Sequence, residues 1–159
     1  MLARLIREAL FHRDSERRHL AALLIATSPF GEAVTEELLV VLGGTGYPEG
    51  MRARTATLVR YLSAEAHRLR MITFLHDPSD DVAVPIAQGL GHMSPSPLSD
   101  QALRNSLGKE HSPQQRAKMY ALGMTASEGL EIILKSSDAV DWQKSAARWW
   151  LAQGGAIRA

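Results

Sequence analysis

Apolar residues along this chain recur at spacings of three and four, and no stretch keeps up a period-two alternation, so helices are the only regular structure it encodes. Val34, Leu38, Val41 and Leu42 fall on one helical face, as do Leu130, Ile133 and Leu134. Leu20, Leu23 and Leu24 do the same, with alanines between them small enough for a close helix approach. Turn chemistry cuts these runs short. Ser28-Pro29 and Ser112-Pro113 each offer an N-cap followed by proline at the first helical position, where a missing N–H costs nothing. Ser112 with Gln115, and Thr125 with Glu128, have capping-box spacing. Residues 43–48 (Gly-Gly-Thr-Gly-Tyr-Pro) and 94–97 (Ser-Pro-Ser-Pro) read as loops. The result is about ten short helices, over 2–12, 15–27, 30–42, 49–62, 64–76, 80–93, 99–109, 113–124, 127–136 and 139–152.

Size and composition bound what such helices can do. The 159 residues, 45% hydrophobic and 22% charged, suffice for one globular domain with a real core. The absence of cysteine excludes disulfides, thiolate metal sites and a cysteine nucleophile. No apolar run approaches the roughly 20 residues of a membrane span, and the charged, amphipathic N-terminus is unlike a secretory signal. A cytoplasmic, single-domain protein is the expectation, with no membrane partner.

Many short helices in tandem raise the question of repeats. The stretch Asp77–Gly91, DPSDDVAVPIAQGLG, runs from an Asp-Pro turn through acids, a valine and a small residue to Gly-Leu-Gly. It resembles the second helix of a HEAT-like repeat. With its closing apolar residue as anchor, matching positions appear at Ile25, Val59, Leu90, Leu122 and Leu151, 29 to 34 residues apart. Seven residues before each anchor, where the family pattern carries arginine, stand Arg18, Arg52, Ala83, Gln115 and Lys144. The resemblance implies an all-α, right-handed α-solenoid of about five HEAT-like helix pairs over 1–159. Each pair is too small to bury its apolar face alone, so stacked neighbours share one core. Pro85, inside a second helix, predicts a kink at mid-chain.

Catalytic patterns are few. The six histidines include no His-Glu-x-x-His and no i, i+4 pair, so no metal is expected. The Gly-Gly-Thr-Gly at 43–46 lacks the lysine of a phosphate loop, and no serine lies in a nucleophile elbow. Asp80-Asp81 is a carboxylate pair at a helix start, where the macrodipole accounts for it. Neither an enzymatic activity nor a cofactor is expected.

Charge is distributed unevenly. The bodies of the five second helices, taken as 17–27, 51–62, 82–93, 114–124 and 142–152, carry Arg17, Arg18, Arg52, Arg54, Arg60, Arg116, Lys118, Lys144 and Arg148 and no acid. These windows leave out first-turn acids such as Glu16, Asp80, Asp81 and Asp141. Residues 71–100 hold four aspartates and no lysine or arginine, so a basic face would have a gap at its centre, although net charge is only +1. In HEAT-like solenoids second helices line the concave surface, so the resemblance implies a basic inner face there. The competing reading is that Arg18 and Arg52 pair with turn acids of neighbouring repeats. Trp142 and Trp149 share a helical face while Trp150 points about 100° away. They close the core as a cap, or Trp149 and Trp150 anchor a partner.

Three functional classes remain. The first is an interaction module for a protein or peptide on the concave face, whose basic lining would suit an acidic partner. The segment 16–30, ERRHLAALLIATSPF, resembles helical-repeat regions of actinobacterial transcriptional regulators, which would make the chain a regulatory part of one. The second is nucleic-acid binding, for which the basic face and tryptophans are similar to those of HEAT-like alkylpurine DNA glycosylases; with no carboxylate in the second-helix bodies, binding is favoured over catalysis. The third is a homodimer through the tryptophan-bearing end.

Overall fold

The computed structural model describes residues 1–157, and every regular element among them is helical. The helices are α1 Leu2–Phe11, α2 Ser15–Ala26, α3 Gly31–Gly43, α4 Glu49–Leu62, α5 Arg68–Thr73, α6 Asp80–His92, α7 Pro97–Asn105, α8 Pro113–Met124, α9 Gly129–Lys135 and α10 Asp141–Ile157. Tight 3-10 turns at Glu65–His67 and Phe74–His76 flank α5, so the helix expected over 64–76 is in three pieces.

Local chemistry sets most of these limits. Asp14 accepts from the Glu16 amide to open α2, and Ser112 accepts from the Gln115 amide to open α8. Gln115 does not return the bond to Ser112; its side chain accepts from the Gly108 amide instead. Ser96 caps α7 with Pro97 at its first position, which starts that helix two residues before the expected 99. The expected Thr125–Glu128 box does not form. Ala126 takes a left-handed φ of 50°, and its amide and that of Ser127 bond back to Gly123 and Leu122, closing α8. The Thr125 hydroxyl therefore donates to Ala121, and Ser127 accepts from Gly129 at the head of α9. At 28–31 the Ser28 hydroxyl joins the end of α2 to the start of α3, donating to Ile25 and accepting from the Phe30 amide.

Packing follows two series. Each odd-numbered helix packs on the even-numbered helix after it. The even helices also touch in succession, α2 on α4, α4 on α6, α6 on α8 and α8 on α10. Among the odd ones, α3 meets the 65–67 turn, α5 meets α7 and α7 meets α9, while α1 packs on both α2 and α4. The central α6 lies close to both neighbours because two of its positions lack a side chain. A Cβ at Gly91 would stand 2.9 Å from the Cα of Ala121, and one at Gly89 3.2 Å from the Cα of Arg60. The helix continues through Pro85. Ile25, Val59, Leu90 and Leu122 are fully buried in one continuous core.

One face is inverted relative to the expectation. On α2 it is Ala21, Ala22 and Ile25 that are buried, while Leu20, Leu23 and Leu24 are 58%, 41% and 56% exposed. The small residues are what let α2 approach α1 and α4, so the leucines are turned outward. Among the described residues no helix is long and apolar enough to cross a membrane.

Candidate functional site: a charged groove across the even helices

A groove of about 650 Å³ runs along α2, α4 and α6, reaching the start of α8 at Pro113. Helical spacing brings its lining to one side of each helix: Ser15, Arg18, His19 and Ala22 on α2, Ala53, Arg54, Thr57, Leu58 and Tyr61 on α4, Asp80, Asp81, Val84 and Pro85 on α6. Small or apolar side chains, Ala22, Ala53, Leu58, Val84 and Pro85, line it together with the charged ones.

The two ends differ in charge. At the α2–α4 end, Arg54 is exposed, its guanidinium carbon 5.9 Å from the centre of the Phe11 ring, which leaves its N–H groups open to a further acceptor. Arg18 is half-buried and already committed, donating to the carbonyls of His12 and Arg13 past the end of α1. His19 packs edge-on against Tyr61, with ring centres 4.9 Å apart. At the α6 end, Asp80 and Asp81 are exposed in the first helical turn, and neither pairs with a cation among the described residues.

The remaining basic candidates do not converge here. Arg52 donates to the Leu42 carbonyl at the end of α3 and to the carboxylate of Asp77, the turn-acid pairing that competed with a binding role. Lys118 is buried and donates to the Ser106 carbonyl; burial pushes its amine below the usual lysine value, with Glu110 partly opposing. Arg17 lies on the surface with a nitrogen 3.4 Å from the His12 ring, and Arg60 stacks over Tyr61 at 5.7 Å. Arg116 and Arg148 are exposed and Lys144 half-buried, none of them lining the groove. Of the tryptophans, Trp142 donates to the Lys109 carbonyl, and Trp150 is half-buried against Tyr120 and over Gly123. Trp149 is 56% exposed, edge-on to Trp150.

The groove thus unites two of the nine basic candidates with four residues outside that set: His19, Tyr61, Asp80 and Asp81. A signal for them existed. It covers His19 alone: with Ala53 and Val84, His19 stands six residues before Ile25, Val59 and Leu90, and all three line the groove. Asp80 and Asp81 fell outside a helix body counted from 82. Among the described residues no group of three or more histidine, aspartate or glutamate side chains could hold a metal. No protein-family profile matches the chain, and no curated protein matches it.

Proposed function

We propose that the chain is a non-enzymatic interaction module, a right-handed solenoid of five HEAT-like helix pairs whose even-numbered helices form a docking face for a peptide segment of a partner protein. The succession of contacts from α2 to α10 and the burial of Ile25, Val59, Leu90 and Leu122 at a repeating interval support the architecture. The observation that carries the function is the groove itself. It crosses three helices, so an extended segment laid across it meets side chains from successive repeats. The same register continues to Arg116 on α8, six residues before Leu122.

A nucleic-acid partner suits this face less well. Asp80 and Asp81 would oppose a phosphate backbone running through the groove, and Arg52 and Lys118 are already occupied inside the fold. The regulator resemblance agrees with a peptide-binding role, in which docking would be the regulatory input.

The test is selection of peptides from a displayed random library on the whole protein, followed by titration of the selected peptides. Thr57→Arg, which fills the middle of the groove, should weaken binding at least tenfold, whereas Arg148→Glu should leave it unchanged. If no peptide binds, or if Thr57→Arg has no effect, the reading fails. Salt-sensitive micromolar binding to a short DNA duplex, lost in Thr57→Arg, would replace it with the nucleic-acid reading.

A further inference from the structure

From the order of charge along the groove we infer the chemistry of its occupant: a short extended segment with an acidic residue facing Arg54, a basic residue facing Asp80 and Asp81, and a small apolar side chain between them. This rests on the docking function proposed above and adds to it a polarity.

The inference comes from three adjoining surfaces. On α4, the Arg54 guanidinium carbon lies over the Phe11 ring, 5.9 Å from its centre, and its N–H groups stay open to an acceptor. Thr57 and Tyr61 follow Arg54 along the same side of the helix, and the Tyr61 hydroxyl makes no hydrogen bond among the described residues. On α6, Asp80 and Asp81 present two carboxylates with no cation opposite, although the groove brings Arg18 and Arg54 to its other wall. Charges of opposite sign thus share one groove without meeting. A ligand carrying only negative charge would meet the aspartates, and one carrying only positive charge would meet Arg18 and Arg54. A ligand bearing both, in the right order, gains at both ends. The same groove is also lined by Ala53, Leu58, Val84 and Pro85, which suit an apolar side chain and not a charge.

Spacing narrows the segment further. Packed helix axes lie about 8–10 Å apart, and an extended chain advances about 3.3 Å per residue. The acidic and basic residues should therefore stand about two to four positions apart. The succession of α2, α4, α6 and α8 fixes direction as well: the acidic residue lies toward α2 and the basic one toward α8.

Sequences of the library-selected peptides give the first readout, and most should carry an acid and a base two to four positions apart in one consistent order. One such peptide is then compared with its charge-exchanged version, in which the acid and base trade places. The wild-type protein should bind the exchanged peptide at least tenfold more weakly. Each lost pair at a solvent-facing site is worth about twofold to fivefold, so Arg54→Glu or the double variant Asp80→Asn, Asp81→Asn should each weaken the original by about that much. The variant Arg54→Glu, Asp80→Lys, Asp81→Lys should prefer the exchanged peptide. All these positions are on the surface, and unchanged helical circular dichroism establishes folding. Selected peptides that bind in the groove yet show no charge order, or equal affinity for both versions, would overturn this inference and leave the docking function standing. Absence of any groove-dependent binding would overturn both.

Discussion

Arg52 and Asp77, 25 residues apart in sequence, form an ion pair that ties α4 to the turn before α6. The same guanidinium donates to the Leu42 carbonyl at the end of α3. Asp77 in turn accepts from the Ser79 amide through its second oxygen, and its own carbonyl accepts from Gln114 of α8. The end of α3, α4, the turn before α6 and α8 are thus joined through Arg52, Asp77 and Gln114, and the Asp77 side chain is only 8% exposed.

Removing one partner leaves the other buried and uncompensated, so Arg52→Ala should destabilise the fold by about 2–4 kcal/mol in urea unfolding. Arg52→Lys should recover little, because a single ammonium on a shorter reach cannot serve both the Leu42 carbonyl and the carboxylate in the geometry of the fork. A full rescue by lysine would show that only the charge matters.

On α2 the inverted face makes opposite forecasts for neighbouring residues. Ile25 is fully buried, and Ile25→Ala should cost about 2–5 kcal/mol. Leu20→Gln and Leu24→Gln remove exposed side chains and should each stay within about 0.5 kcal/mol of wild type. Matched thermal melts of the three variants decide this; a large loss on Leu24→Gln would mean the leucines carry the core.

The contrast on α2 illustrates what the sequence conveyed. Turn residues and apolar spacing placed seven of the ten helices to within two residues at each end, because proline, serine and glycine act locally; the 64–76 helix is broken up, α7 ends four residues before the expected 109, and α10 runs five residues past the expected 152. Of the five anchor positions read from spacing, Ile25, Val59, Leu90 and Leu122 are fully buried and Leu151 is half-buried. What spacing could not rank was two apolar faces of one helix. Leucine is more hydrophobic than alanine, yet Ala21 and Ala22 permit the closer approach, and that is decided by the neighbouring helices. The charged candidates were separable only in three dimensions. Arg52 and Arg54 are two residues apart and on a helix point about 200° apart, one into an interior ion pair and the other into the groove. Asp80 and Asp81 satisfied the helix-start rule and also face the groove, and a helix-start rule cannot distinguish those roles.

Gly91 faces Ala121 where α6 meets α8. Alanine has the better helix propensity by about 1 kcal/mol, but its Cβ would stand 2.9 Å from backbone. Backbone must move to admit it, so Gly91→Ala should lower stability by about 1–3 kcal/mol despite the propensity gain. A stabilised variant in urea would contradict the close approach.

Lys118 gives the fold an alkaline signature. Its amine is pushed below the ordinary 10.5 by burial, so between the lowered folded value and 10.5 the unfolded chain binds more protons than the folded one. Stability should rise with pH across that window, as the cost of burying the charge is relieved. In Lys118→Met the rise should vanish, read as the urea midpoint from neutral pH to about pH 10. Persistence of the rise in the variant would assign it to another group.

Glu65 gives the acid counterpart. Its carboxylate accepts from the Ser94 amide and from Arg68, which also donates to the Ser99 hydroxyl and the Ser94 carbonyl. The pair therefore joins the turn before α5 to the loop after α6 and to α7. The Ser94 amide bond, with Arg68 adding to it, lowers the Glu65 pKa below the ordinary 4.5, against a smaller opposing cost of burial. A carboxylate with a depressed folded pKa contributes stability that is fully present above 4.5 and lost as pH falls through the lowered value. Glu65→Gln should flatten the stability profile in that acid window by lowering stability above it, and because the side chain is 52% exposed the loss at neutral pH should stay within about 1 kcal/mol. Arg68→Ala should be the more damaging change at every pH, because the arginine is buried and its removal strands the Ser99 hydroxyl and the Ser94 carbonyl together. Urea midpoints of the two variants from about pH 3 to neutrality separate the contributions; an Arg68→Ala loss no larger than that of Glu65→Gln would mean the exposed carboxylate, and not the buried guanidinium, holds the junction.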